Sequence, residues 1–243
     1  MIALQGRPIC GGIVFGRIFM FEKNERKIPR YNVEDIDKEL ERFDNARRTA
    51  VDELERLYIH AIKNVGQSEA MIFSTHQIML EDADYDDMVK KIIRNDRQNA
   101  ERAVEITCEK LSEVFDGMDN EYIRERGEDI KDISERIIKI LSGSVRERVY
   151  TNEPVIVAAH ALAPSDIIQF DKNKILAFAT EKGSYNSHSA ILARTMHLPA
   201  ITAVPCLMNE EYNGKEAAID GYSGTIYIEP DKITVNKLSN AHT

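Results

Sequence analysis

Between residues 33 and 143, apolar side chains recur at steps of three and four positions, separated by polar and charged residues. This span contains no proline, and the spacing places the apolar side chains along one face of a helix. Five such stretches follow one another, and the last ends at Gly143, a residue suited to a helix C-terminus. Because the connections are short, neighbouring helices should be antiparallel. The pattern predicts an antiparallel α-helical bundle.

The chain on either side of this bundle has a different pattern. Residues 1–21 are predicted to be extended, because β-branched and aromatic residues dominate 13–21. After residue 150, apolar runs typical of strands alternate with two short helical segments. These runs cover residues 154–159, 174–180, 200–204, 216–220 and 224–230. Since the N-terminal strands have no sheet of their own, we expect them to pair with the strands after residue 150.

The predicted fold class is therefore α/β, with an antiparallel α-helical bundle inserted into a sheet domain. Residues 1–21 and 145–232 are predicted to form the discontinuous α/β domain. Residues 33–143 form the helical insert, and residues 233–243 begin a linker helix to a further domain.

Composition narrows the choice of partner and compartment. The 243-residue chain is 43% hydrophobic and carries a net charge of −9, which argues against nucleic acid and favours a basic protein surface as partner. No apolar run approaches the roughly 20 residues of a membrane span. The first residues lack the pattern of a signal peptide, so a cytoplasmic location is expected. The three cysteines are far apart and suggest neither a disulfide framework nor a metal site.

Candidate chemistry concentrates in residues 183–200, GSYNSHSAILARTMHLPA. A loop containing Gly183 follows a predicted strand and opens a helix near His188. The first N–H groups of a helix and its dipole attract anions and favour a neutral, nucleophilic imidazole. The hydroxyls of Ser187 and Ser189 would add donors around a phosphoryl group. Serine and asparagine are also common N-caps, so from the residues alone this stretch could simply start a helix.

The same stretch resembles the phosphohistidine signature G-G-x-x-S-H-x-A-I-x-A-R of the phosphoenolpyruvate-utilising enzymes, which is followed by a segment ending in L-P-A. The matching positions are Gly183, Ser187, His188, Ala190, Ile191, Ala193, Arg194, Leu198, Pro199 and Ala200. Within this family, residues 71–85 and 119–137 and the N-terminal GGIVFGRIF resemble the N-terminal half of Enzyme I of the phosphoenolpyruvate-dependent sugar phosphotransferase system.

This resemblance implies a swivelling phosphohistidine domain whose helical insert binds the phosphocarrier protein HPr. His188 would accept a phosphoryl group on Nε2 and pass it to the histidine of HPr, while Gly183, Ser187 and Ser189 cradle the group. In the full-length family enzymes, phosphoenolpyruvate and magnesium bind a C-terminal barrel, which also forms the dimer interface. This chain by itself is expected to be monomeric, to hold no cofactor and to exchange phosphoryl groups with phospho-HPr only.

The resemblance also suggests where HPr would dock: an apolar patch ringed by charge. The residues predicted for this patch are Ile72, His76, Met79, Leu80, Asp82, Asp84, Tyr122 and Arg126. The acidic run 81–87 is equally compatible with a solvated helix start and with an electrostatic patch for a basic partner.

The signature is not matched everywhere. Ser184 and Tyr185 replace a glycine and a common arginine, and Ala161 and Ala163 replace polar residues in the segment before the signature. Arg194 lies roughly 240° around an ideal helix from His188, which favours a structural salt bridge over a contact with the phosphate. Two alternatives stay open: a mobile domain of a pyruvate phosphate dikinase or phosphoenolpyruvate synthase, and a non-catalytic module that binds HPr.

Overall fold

The computed structural model describes residues 1–22, 28–143 and 153–240, apart from the side chains of residues 121, 122 and 125. The chain divides into two compact units, one formed by residues 1–24 and 148–243 and the other by residues 25–147. The predicted domain start at residue 145 lies outside the described residues, as does the end of the predicted linker helix. No helix in the described ranges is long and apolar enough to cross a membrane.

The helical unit is built from amphipathic helices joined by short connections. Its helices are α1 (Ile36–Val65), α2 (Gln67–Glu81), α3 (Ala83–Asp96), α4 (Ala100–Asp116) and α5 (Glu121–Leu141). Aspartates fix two of the helix starts: Asp35 accepts from the N–H of Lys38 before α1, and Asp82 caps α3 in the same way. The core of this unit is apolar and includes the fully buried Phe43 and Phe73.

The second unit is an eight-stranded sheet with short helices. The strands are β1 (Ile2–Gln5), β2 (Arg7–Cys10), β3 (Ile13–Phe21), β4 (Val155–Ala159), β5 (Ile175–Thr180), β6 (Ala200–Thr202), β7 (Glu216–Asp220) and β8 (Thr225–Ile228). The helices are α6 (Pro164–Ile167), α7 (His188–Thr195) and α8 (Lys232–Asn240). The order of strands is β1-β8-β7-β3-β4-β5-β6-β2. Strands β3, β4, β5 and β6 run parallel to one another.

The N-terminal strands complete the sheet formed by the strands after residue 150. β3 pairs with β4 and β7, while β1 and β2 form the two outer strands of the sheet. β1 and β2 are separated in the chain only by Gly6, so the sheet curls until its two ends meet at this residue. The N–H of Gly6 bonds to the carbonyl of Gly224, and a Cβ built there would lie 2.5 Å from the carbonyl oxygen of Thr202. The predicted α/β fold class with an inserted helical bundle is confirmed.

Candidate functional site

His188 is the first residue of α7, as the sequence predicts, and it is half-buried. The loop that precedes it starts at the end of β5 and contains Gly183, whose φ of +137° is unfavourable for other residues. A Cβ at Gly183 would also lie 2.8 Å from Thr202 Oγ1. Gly183 therefore shapes the loop through its backbone, and the helix N-terminus adds partial positive charge next to His188.

The two serines that flank His188 hold the loop in place. Ser187 Oγ donates to the carbonyl of Ser184 at 3.1 Å and accepts from the N–H of Ala190 at 3.2 Å. Ser189 Oγ donates to the carbonyl of Leu162 at 2.5 Å. A hydroxyl has a single hydrogen, so in this conformation neither serine has one left for a phosphoryl group. Both serines support the loop in this structure, and their predicted contact with a phosphoryl group stays a prediction.

Arg194 also has a structural role, although its partners differ from the predicted salt bridge. Its Nη1 donates to the carbonyl of Tyr185 at 2.7 Å, and its guanidinium carbon lies 4.5 Å from the centre of the Tyr185 ring. Tyr185, one of the departures from the family signature, is therefore stacked on Arg194. This pair connects the loop before His188 to the last turn of α7.

The segment after β4 reaches the first turn of α7 through Leu162. The N–H of Ala163, one of the two alanines that replace polar residues, donates to Asp166 Oδ2 at 2.9 Å. The turn is thus fixed by Asp166 even though a polar side chain is missing at position 163. His160 is a further polar residue of this segment, and its Nδ1 lies 2.5 Å from Oε2 of Glu181.

His160 and Glu181 were not singled out by the sequence pattern. The signal that could have found them is their position, because each directly follows one of two adjacent parallel strands, β4 and β5. Side chains that follow adjacent parallel strands meet at the same edge of a sheet, which is where α/β folds commonly bind ligands. The segments that hold His188 start at this edge.

In the helical unit, three of the predicted docking residues are in the core. Ile72, His76 and Leu80 are 4%, 0% and 0% exposed. They cannot contact a partner in this conformation, and their prediction as surface residues is corrected. The reason is that α2 packs against α1, α3 and α5, which cover the face carrying these side chains. His76 Nε2 instead lies 3.2 Å from Asp129 Oδ1, and its Nδ1 lies 3.8 Å from Asp132 Oδ2.

The other predicted docking residues are at least partly accessible. Met79 is half-buried, Asp82 and Asp84 are exposed, and Arg126 is half-buried with its Nη1 3.4 Å from Asp129 Oδ2. The side chain of Tyr122 lies outside the described part of the chain. The apolar residues that α2 does expose are Met71 and Ile78, at 48% and 66%. The sequence pattern missed both because residues 68–80 are apolar on most of the helix circumference.

Magnesium is the cofactor associated with the family resemblance. In the described ranges, no cluster of three or more histidine, cysteine, aspartate or glutamate side chains could hold a metal ion.

Comparison with known proteins identifies the class. The family described as "PEP-utilising enzyme, N-terminal" matches residues 5–126, and "PEP-utilising enzyme, mobile domain" matches residues 151–224. The chain belongs to the phosphoenolpyruvate-utilising enzymes.

Individual relatives are more specific. The chain is 34% identical to phosphoenolpyruvate-protein phosphotransferase of Bacillus subtilis (strain 168), over 100% of this chain and 43% of that protein. It is 33% identical to the protein of the same name from Priestia megaterium, over 96% of this chain and 41% of that protein. The chain thus spans about two-fifths of the length of these curated relatives.

Solved structures support the same relationship. The solution structure of an Enzyme I (nEIt) protein has a TM-score of 0.75 and 29% sequence identity, and the match covers 98% of this chain and 97% of that chain. The N-terminal domain of "Enzyme 1 - Nitrogen" has a TM-score of 0.62 at 19% identity, covers 98% of both chains, and shows the shared fold alone. The predicted relationship to the N-terminal half of Enzyme I is confirmed.

Proposed function

We propose that this chain is the phosphoryl carrier part of a phosphoenolpyruvate-protein phosphotransferase, with His188 as the residue that carries the phosphoryl group. The observation that supports this most is the position of His188. It opens α7 at the end of a loop shaped by Gly183, within the family signature. A neutral imidazole nitrogen in this position is a suitable nucleophile, and the helix N-terminus is favourable for the incoming charge.

The proposed reaction exchanges one phosphorus–nitrogen bond for another. The phosphorus–nitrogen bond of phosphohistidine in HPr breaks as His188 Nε2 bonds to phosphorus, and the reverse reaction returns the group to HPr. The protein has little covalent chemistry to perform, because phosphoryl transfer depends mainly on positioning and on stabilising the charge of the phosphoryl oxygens. Backbone N–H groups at the start of α7 would provide part of this stabilisation.

We propose that HPr docks on the helical unit, on a surface formed by residues that the structure leaves exposed or half-buried. Apolar contact would come from Met71, Ile78 and the half-buried Met79, with Asp82 and Asp84 as the neighbouring acids. Tyr122 and Arg126 are proposed to flank this surface. A basic partner would be steered to this surface by its charge and held by apolar burial.

The relatives are more than twice as long as this chain, and we propose that the remaining steps belong to their additional length. A C-terminal barrel would bind phosphoenolpyruvate and magnesium, generate the phosphoryl group and form the dimer interface. The 243-residue chain would then be monomeric, and its location would be cytoplasmic, where a sugar phosphotransferase system operates.

Incubation of this chain with phospho-HPr, followed by intact mass measurement, tests the proposal. The wild-type chain should gain one phosphoryl group that is labile in acid and stable in base. His188→Ala should gain none while keeping its fold. Binding of HPr without transfer to the wild-type chain would instead support the non-catalytic module, and phosphorylation of His188→Ala would show that another residue is the acceptor.

A further inference from the structure

The pair formed by His160 and Glu181 has the geometry of an oriented imidazole. Glu181 Oε2 is 2.5 Å from His160 Nδ1, and Glu181 Oε1 accepts from the N–H of Met208 at 3.0 Å. The carboxylate is therefore held through both oxygens, and its side chain is 19% exposed. A carboxylate that accepts from Nδ1 fixes the ring and leaves Nε2 for another partner. The His160 side chain is 66% exposed, so Nε2 is accessible.

The position of this pair connects it to His188. The N–H of Lys182 donates to the carbonyl of His160 at 2.8 Å, which extends the pairing of β4 with β5 to the start of both loops. Two residues after His160, the carbonyl of Leu162 accepts from the hydroxyl of Ser189, the neighbour of His188. Both segments that support the first turn of α7 therefore begin at this histidine–carboxylate pair.

Side-chain donors for a phosphoryl group are few among the signature residues. A phosphoryl group brings nearly two negative charges and three acceptor oxygens. The hydroxyl hydrogens of Ser187 and Ser189 are used by backbone carbonyls. Arg194 donates from Nη1 to the carbonyl of Tyr185, and it lies six residues after His188, about 240° around an ideal helix. Residues 159–163 read Ala-His-Ala-Leu-Ala, so His160 is the one side chain of this segment that can donate a hydrogen bond.

We propose that His160, oriented by Glu181, is a second imidazole of the phosphoryl site and donates a hydrogen bond from Nε2 to the phosphoryl group carried by His188. In the imidazolium form both ring nitrogens donate, Nδ1 to the Glu181 carboxylate and Nε2 to a phosphoryl oxygen. No proton is transferred: the phosphorus–nitrogen bond of HPr breaks, the bond to His188 Nε2 forms, and His160 stabilises the charge. This inference rests on the proposed function.

Two substitutions of His160 distinguish the role of Nε2 from that of the contact between Nδ1 and Glu181. In His160→Asn, the short side chain keeps an N–H donor for Glu181 and has no group at the position of Nε2. In His160→Gln, the longer side chain can place an amide N–H near that position. The matched control is His197→Asn, which removes an exposed histidine at the other end of α7. Asparagine tolerates the positive φ of +56° at this residue.

The measurement is the single-turnover rate of phosphoryl transfer from radiolabelled phospho-HPr to each variant of the 243-residue chain, with circular dichroism as a check of folding. A lost hydrogen bond to a charged group should slow His160→Asn by about tenfold or more, whereas His160→Gln should retain more activity and His197→Asn should match the wild type. An unchanged rate for His160→Asn, or equal losses in His160→Asn and His160→Gln, would overturn the inference. Failure of the wild-type chain to take up any phosphoryl group would refute the proposed function instead.

Discussion

At the residue scale, His76 combines complete burial with two acidic neighbours. Asp129 and Asp132 of α5 face its two ring nitrogens and are themselves buried. Replacing this ring by a methyl group opens a cavity in the core and removes the group that faces the two carboxylates, and large-to-small substitutions in a core cost about 2–5 kcal/mol. We expect His76→Ala to lower the free energy of unfolding of the helical unit by about 3 kcal/mol. Urea denaturation followed by circular dichroism measures this change.

His60 supplies the control for that substitution. It is exposed on α1, and its contact in the structure is with Asn64 one turn later. His60→Ala should change the unfolding free energy by no more than about 0.5 kcal/mol. A change of similar size for both variants would show that the two aspartates do not depend on His76.

Glu101 should make the helical unit sensitive to acid. Burial favours the protonated form, but hydrogen bonds from Arg42 and Asn99 outweigh this effect and hold the pKa of the Glu101 carboxyl below its usual value of 4.5. A depressed pKa adds stability at neutral pH, which declines as the pH falls below about 4.5 and is lost below the folded-state pKa. Glu101→Gln should therefore be less stable than the wild type at pH 7, with a smaller difference in acid.

Unfolding free energies measured across this pH range test the sign of the effect. The exposed Glu113 of the same helix provides the control, since Glu113→Gln should leave the pH dependence of stability unchanged. A constant difference between the wild type and Glu101→Gln at all pH values would contradict the ionised, paired carboxyl.

At the element scale, closure of the sheet depends on Gly6. An added Cβ would meet the Thr202 carbonyl oxygen at 2.5 Å and Val204 Cγ2 at 2.6 Å, and the first of these atoms belongs to the backbone of β6. Gly6→Ala should destabilise the sheet unit by about 2 kcal/mol, because the two ends of the sheet would have to separate. Chemical denaturation of this unit measures the loss.

The same substitution in a helix should have the opposite effect. Gly127 lies within α5, and a Cβ there would make ordinary contacts at 3.5 Å or more. Gly127→Ala should stabilise the helical unit by about 0.5–1 kcal/mol, since alanine favours a helix interior. If Gly6→Ala did not lower the free energy of unfolding, this result would contradict the close contact between the two ends of the sheet at Gly6.

The helices and strands could be predicted because their hydrophobic periods are regular. The N-terminal strands could be placed because they have no sheet of their own and must pair with the strands after residue 150. The exposed side of α2 could not be predicted. Its sequence is apolar around most of the helix, so burial of Ile72, His76 and Leu80 is decided by the helices that pack on it. Similarly, the position of His188 follows from a local signature. The hydrogen bonds that the hydroxyls of Ser187 and Ser189 donate could not be predicted, because only the folded chain brings the accepting backbone carbonyls near them.

At the scale of the whole molecule, we propose that the sheet unit carries out phosphoryl transfer and that the helical unit binds HPr. The exposed acids Asp82 and Asp84 should attract a basic partner, and such attraction is screened over about 10 Å at 0.1 M salt. Asp82 Oδ1 also caps α3, so asparagine, which can keep the cap, is the appropriate replacement. Asp82→Asn combined with Asp84→Asn should slow association and weaken its salt dependence.

Stopped-flow association with HPr at two ionic strengths measures this steering. A matched loss of two charges is provided by Asp37→Asn with Glu41→Gln, both exposed at the start of α1, and this variant should associate at nearly the wild-type rate. Equal salt dependence in the wild type and the Asp82 and Asp84 variant would remove these acids from the docking mechanism.

The most direct test of the central claim is NMR of the chain labelled with nitrogen-15 in its six histidines, recorded before and after incubation with phospho-HPr. Long-range couplings between ring nitrogens and carbon-bound protons identify which imidazole is modified and on which nitrogen. The Nε2 resonance of His188 alone should acquire coupling to phosphorus. A phosphoryl group on another histidine, or on Nδ1 of His188, would contradict it.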